Sequence, residues 1–173
     1  MPVLTIRRYG DPILRQKAQA VEAVTPEIRK ALADMLETMY HQVGIGLAAP
    51  QVGIGLRIIL VDDGSRGPRA LLNPTIVERR GAVRGEEGCL SIPGFFGEVE
   101  RSEWVRVEAL DAEGLALAFE AKGLQARVIQ HEMDHLDGVL FIDRLPPVTR
   151  DRMKKKIQKD GLPEDAPHHA FAL

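Results

Sequence analysis

His131 and His135 lie four residues apart in Gln130-His131-Glu132-Met133-Asp134-His135. A helix turns about 100° per residue, so residues at this spacing share one face. Two neutral imidazoles on one face can hold a metal ion, and the intervening Glu132 is placed to take a proton from water beside that ion. The plain alternative is a surface helix that carries two histidines and several acids by chance. A third ligand and a donor for developing negative charge would decide against it. A catalytic mononuclear site takes three protein ligands and keeps one position open. One extended form of the H-E-x-x-H motif places a third histidine after x-x-G-x-x. Here Gly138 is in place, but Phe141 occupies the ligand position. A downstream carboxylate on a helix has little room, and Asp137 and Asp143 fall too near the motif. Cys89, the single cysteine, is the best remaining candidate, because a bound metal would itself deprotonate the thiol. Its plain alternative is a buried core thiol.

Several elements must position these groups. Thr25 can cap a helix over 25–43 with Pro26 at its first position. Ile28, Leu32, Met35, Met39 and Val43 form its apolar stripe. Residues 44–49, Gly-Ile-Gly-Leu-Ala-Ala, mimic a dinucleotide fingerprint. That fingerprint needs a strand before it and a helix after it. A helix precedes this one, and Pro50, Gly53 and Gly55 forbid a long helix after it. The glycines instead suit close approach of backbone to a ligand, where Gln51 adds an amide donor.

Leu56–Val61 reads as a buried strand, and strands are expected near 69–72, 75–79, 104–110 and 115–120. Residues 85–94 enclose Cys89 between glycines and Pro93, which predicts a shaped loop. Helical periodicity returns over 124–136, with Gly138 as its stop. A strongly basic last helix is expected over 148–159, and a loose tail follows it. That tail carries His168 and His169, and terminal histidines usually hold nothing specific.

The chain has 173 residues and a formal net charge of −2, which suits one domain with a real core. With that charge balance nothing global points to nucleic acid, specific DNA included, or to a membrane, and no apolar run approaches the roughly 20 residues a spanning helix needs. The first residues lack the apolar stretch of a signal peptide, so a cytoplasmic location is the expectation.

Three segments together resemble the signature motifs of the peptide deformylase family, in order and at similar spacing. They are residues 44–51 (Gly-Ile-Gly-Leu-Ala-Ala-Pro-Gln), 87–91 (Glu-Gly-Cys-Leu-Ser) and 130–135 (Gln-His-Glu-Met-Asp-His). The resemblance runs from about Val3 to Leu145. It implies an α+β fold in which antiparallel β-sheets surround a central helix bearing the metal histidines, with an N-terminal and a C-terminal helix. It implies a catalytic unit over 1–147 and a basic helix with a tail over 148–173.

The implied activity is removal of the formyl group from the N-terminal Met of nascent chains. Cys89, His131 and His135 would ligate the metal, with Glu132 as general base and acid. Gln51 and the Leu90 backbone N–H would hold the oxyanion. Ile45 and Gly46 would line the substrate groove, and Leu124, Arg127 and Val128 would lie near the Met pocket. Arg127 is a cation where an aliphatic side chain suits, so its stem is expected to pack and its head to reach water. The family metal is usually Fe(II), with Ni, Co or Zn able to replace it; two imidazoles and a thiolate also suit zinc. The resemblance further suggests ribosome docking by Arg150 to Lys159, six basic residues against one acid. Rival readings are another H-E-x-x-H metallohydrolase, such as a peptidase, and a metal-binding module without catalysis.

Overall fold

The computed structural model describes residues 3–164. His168 and His169 lie outside the described residues. Helix α1 (Pro26–His41) starts where the Thr25 side chain accepts from the Ile28 N–H. Strands β1 (Gly46–Ala48), β2 (Ile58–Val61), β3 (Arg69–Arg80), β6 (Trp104–Leu110) and β7 (Ala116–Lys122) form one antiparallel sheet in the order β1-β2-β3-β6-β7. Strands β4 (Val83–Cys89) and β5 (Ile92–Arg101) form a separate hairpin. Helices α2 (Gly123–Leu136) and α3 (Pro147–Asp160) complete the fold.

Strand alternation explains why the chain packs in layers. Successive side chains on a strand point to opposite faces. On β2, Ile58 and Leu60 join Met35 and Met39 of α1 in one core. Ile59 and Val61 point the other way and join Ala126, Val128 and Ile129 of α2 in another. The sheet is therefore apolar on both faces at this end, which is why Ile58–Val61 is a continuous apolar run. A third core lies under the hairpin, where Cys89, Ile92 and Val99 meet Leu140, Phe141 and Ile142. Helix α2 is thus held between the large sheet and the hairpin. This is the α+β arrangement expected from the resemblance.

Two expectations about strands need correction. Residues 85–94 are not a loop: they belong to the β4–β5 hairpin, whose only irregular part is the connection through Leu90 and Ser91. The segments 69–72 and 75–79 are one strand, β3, continuous through a register shift between Leu72 and Thr75. Asn73 takes φ +51° there, and its amide satisfies both the N–H and the C=O of Val21. The register shift is thus a bulge held by a side chain.

Candidate metal centre

Helix α2 stops at Asp137, and Gly138 follows with φ +74°. The Gly138 N–H donates to the His135 carbonyl. A Cβ at Gly138 would lie 2.6 Å from the Arg15 carbonyl oxygen, so chain packing as well as φ demands glycine. This stop leaves the His131–His135 pair in the last two turns of a helix that buries nine of its residues. The two rings approach edge to face, with centroids 5.1 Å apart.

Cys89 ends β4 and meets them from the hairpin. Its Sγ lies 3.4 Å from His135 Nε2. One donor atom from each of Cys89, His131 and His135 falls within 4.8 Å of the others, and all three residues are buried. Zinc bonds of about 2.0–2.3 Å in a tetrahedron separate ligand atoms by roughly 3.4–3.7 Å. The Cys89–His135 pair already has that separation.

Hydrogen bonding gives an independent indication. His131 Nδ1 bonds Glu87 Oε1 at 2.9 Å, while His131 Nε2 is buried and without a partner. Both carboxylate oxygens of Glu132 and Nδ1 of His135 are also buried and unpartnered. Buried polar atoms are normally satisfied, so orphans concentrated at one place mark a site that expects a ligand. The residues present therefore fit a divalent ion.

The electrostatics agree. Burial would push the His131 imidazole down, but the Glu132 carboxylate, then Cys89 and Glu87, outweigh it and raise it to about 10. The pocket thus favours positive charge at this point. His135 goes the other way, held well below its ordinary value by burial and by the neighbouring His131 charge. Glu132 is pushed up to about 7, chiefly by burial. A carboxyl group near neutrality both takes and gives protons readily.

The Glu132 head fits only because β1 passes close above it. A Cβ at Gly46 would lie 2.5 Å from Glu132 Oε2 and 2.7 Å from Val128 Cγ1. Gln51 sits in the 3-10 turn Ala49–Val52 and is fully buried. Its Oε1 accepts from the Ala48 N–H at 3.0 Å, which fixes the amide orientation. Nε2 then donates to Ser91 Oγ at 3.1 Å and faces Cys89 Sγ at 3.5 Å. Leu90 lies in the hairpin connection directly after Cys89. Ile45 is half-buried before Gly46. Leu124 is exposed on a cleft of about 360 Å³ that Val83, Gly85 and Arg127 also line.

Arg127 departs from expectation. Its head is not spread in water but turned onto protein acceptors. The residue is 8% exposed, and Nη1 pairs with Glu87 Oε2 at 2.7 Å. The buried carboxylate of Glu87, which sequence reasoning gave no role, explains this. It receives His131, Arg127 and the Nε and Nη2 of Arg101. Arg101 also pairs with Asp134, which takes two bonds from Arg144. Burial would raise the Glu87 carboxyl, but the bonds from Arg101 and His131 hold it far below the carboxylate range. An ionised Glu87 keeps the His131 proton on Nδ1 and leaves Nε2 free to ligate. Its place at the head of the 87–91 segment, two residues before the single cysteine, was the signal available in the sequence.

Similar proteins place this geometry in a known family. The family model described as polypeptide deformylase matches residues 3–151. A peptide deformylase of Alkalilimnicola ehrlichii is 51% identical over 92% of this chain and 91% of its own. One of Thermodesulfovibrio yellowstonii is 44% identical over 91% of this chain and 98% of its own. The crystal structure of the Thermus thermophilus peptide deformylase superposes with a TM-score of 0.86 at 46% identity, covering 91% of this chain and 94% of that one.

Proposed function

This chain belongs to the polypeptide deformylase family and removes the formyl group from nascent peptides; we propose that it does so with one divalent ion held by Cys89, His131 and His135. The observation that carries this reading is the convergence of three buried donor atoms beside a Glu132 whose oxygens have no partner. Fe(II) is the proposed ion, on family resemblance, and Zn, Ni and Co suit the same donors. When bound, the ion supplies a Lewis acid that acidifies water and polarises the formyl oxygen.

The chain's own groups do the rest. Glu132 takes a proton as water attacks the formyl carbon, and it later delivers that proton to the leaving amine. The Gln51 Nε2–H and the Leu90 N–H receive the charge that develops on the formyl oxygen. The Gln51 amide is already oriented for this by Ala48 and Ser91. The products are formate and a peptide with a free N-terminal Met. Ile45 and Gly46 flank the peptide, and Leu124, Arg127 and Val128 shape the space for the Met side chain.

Residues 1–147 form the catalytic unit, and 148–173 an appended basic segment. On α3, Met153 and Ile157 pack against the Leu140–Leu145 core, while Arg152, Lys155, Lys156 and Lys159 are exposed. That cationic face suits the phosphate-rich surface of a ribosome, where nascent chains emerge, and such a substrate supports a cytoplasmic location. The decisive experiment measures formate release from a formyl-Met peptide and from its acetyl-Met counterpart by the metal-loaded chain. Fast release from the first and near-silence on the second is expected. Equal rates would overturn the reading of a pocket shaped for the formyl group.

A further inference from the structure

Arg127 lies one helical turn before His131 on α2, and both side chains grip one carboxylate from β4. Glu87 Oε1 takes the His131 Nδ1 contact at 2.9 Å. Glu87 Oε2 takes Arg127 Nη1 at 2.7 Å. The same guanidinium donates to the Val83 carbonyl at 2.8 Å and to the Val99 carbonyl at 2.9 Å, so it also spans both strands of the hairpin. It lies flat against β4: a Cβ on Gly85 would come within 2.9 Å of its central carbon. Arg101, on β5, takes both Glu87 oxygens and also reaches Asp134 near the end of α2. Of the two cations on Glu87, Arg127 is the one that itself stands on the helix carrying His131.

We propose that Arg127 is a positioning residue for His131, acting through Glu87, and that it links the wall of the side-chain cleft to the metal centre. The proposal rests on the assignment of His131 as a ligand. Without Arg127, two backbone carbonyls and one carboxylate oxygen lose a partner, and Glu87 keeps only Arg101 and His131 itself. The carboxylate is then held from the β5 side alone, and the restraint that aims His131 Nε2 is loosened. A guanidinium does this and an ammonium does it only in part, because the fork reaches several acceptors in one plane at once. The same head lines the cleft beside Leu124. A substrate side chain entering there presses on a group that is bonded to the carboxylate behind the metal ligand.

The test uses the full chain loaded with Zn(II) and follows transfer of the ion to a chromogenic chelator. Partners of metal-ligating histidines are typically worth about 10–100-fold in metal affinity. Arg127→Met keeps the length of the stem and removes the head. Arg127 acts one bond further out, so Arg127→Met is expected to lose zinc faster than the parent by up to about tenfold. Its kcat should fall as well as its KM rise, whereas a residue that only walls the cleft would raise KM alone. Arg127→Lys should restore part of the zinc retention. If Arg127→Met fails to fold, Arg127→Lys decides, and parental retention in that variant overturns the proposal. In a folded Arg127→Met protein, zinc loss at the parental rate does the same. His131→Ala is the control for the ligand assignment. Full zinc retention in that variant contradicts the reading of the centre itself. Zinc loss in His131→Ala with none in Arg127→Met contradicts only the role given to Arg127.

Discussion

Helices α2 and α3 are each 14 residues long, and both carry many polar side chains. Helix α2 buries nine residues, among them His131, Glu132 and His135; α3 buries none. The contrast shows what burial does to polar side chains on a helix. On α2 a carboxyl and two imidazoles are stripped of water and left with orphaned atoms, which makes them reactive toward an ion and a substrate. On α3 the cations keep their water and make only weak, salt-screened contacts until a partner arrives. In the proposed reading, one helix acts at short range on an ion and a substrate, and the other steers at long range.

The comparison breaks most sharply at Glu132. Glu132→Gln should keep a full complement of metal while formate release falls about 10²–10⁴-fold, the usual contribution of a general base. Metal content and turnover on one sample check this, and near-normal turnover would remove Glu132 from its role. Cys89→Ala should lose both metal and activity. Peroxide should inactivate the iron-loaded chain faster than the nickel-loaded one, since oxidation consumes Fe(II) or the thiolate. A fully metallated Cys89→Ala protein would refute the ligand.

Gly46→Ala sharpens the contrast at smaller cost. Its methyl group meets Glu132 Oε2 and Val128 Cγ1 inside van der Waals contact, and overpacking of this kind typically costs about 1–3 kcal/mol. Thermal unfolding should show the loss, and turnover should fall with the displaced carboxylate. An unchanged melting temperature would mean that β1 yields easily. The smallest effect belongs to α3. Lys155→Glu with Lys156→Glu leaves Met153 and Ile157 packed, so turnover of a short formyl peptide should stay at the parental level. Co-sedimentation with ribosomes should weaken, and the difference should shrink as salt rises. Equal binding at every salt concentration would leave α3 as a merely solvated helix.

Patterns of type and period were legible in the sequence, and partners across the chain were not. The apolar stripe of α1, the run at Ile58–Val61 and the H-E-x-x-H face each follow from local spacing. The hairpin did not, because its glycines look like loop punctuation. Gly88 and Gly85 are there for proximity: a Cβ at Gly88 would strike the Phe96 ring at 2.5 Å, and one at Gly85 the Arg127 head at 2.9 Å. Arg127 was misjudged for a related reason. Its acceptors, Val83, Glu87 and Val99, are 28 to 44 residues away in sequence. Glu87 looked like one of two acids in a row until β4 alternation turned Glu86 out and Glu87 in.

X-ray absorption at the metal edge of the zinc-loaded chain tests the central claim most directly. Cys89, His131 and His135 as ligands require one sulfur at about 2.3 Å and two imidazole nitrogens at about 2.0 Å, with the remaining position taken by a light atom. A spectrum without sulfur, or with no imidazole scattering, would contradict the account.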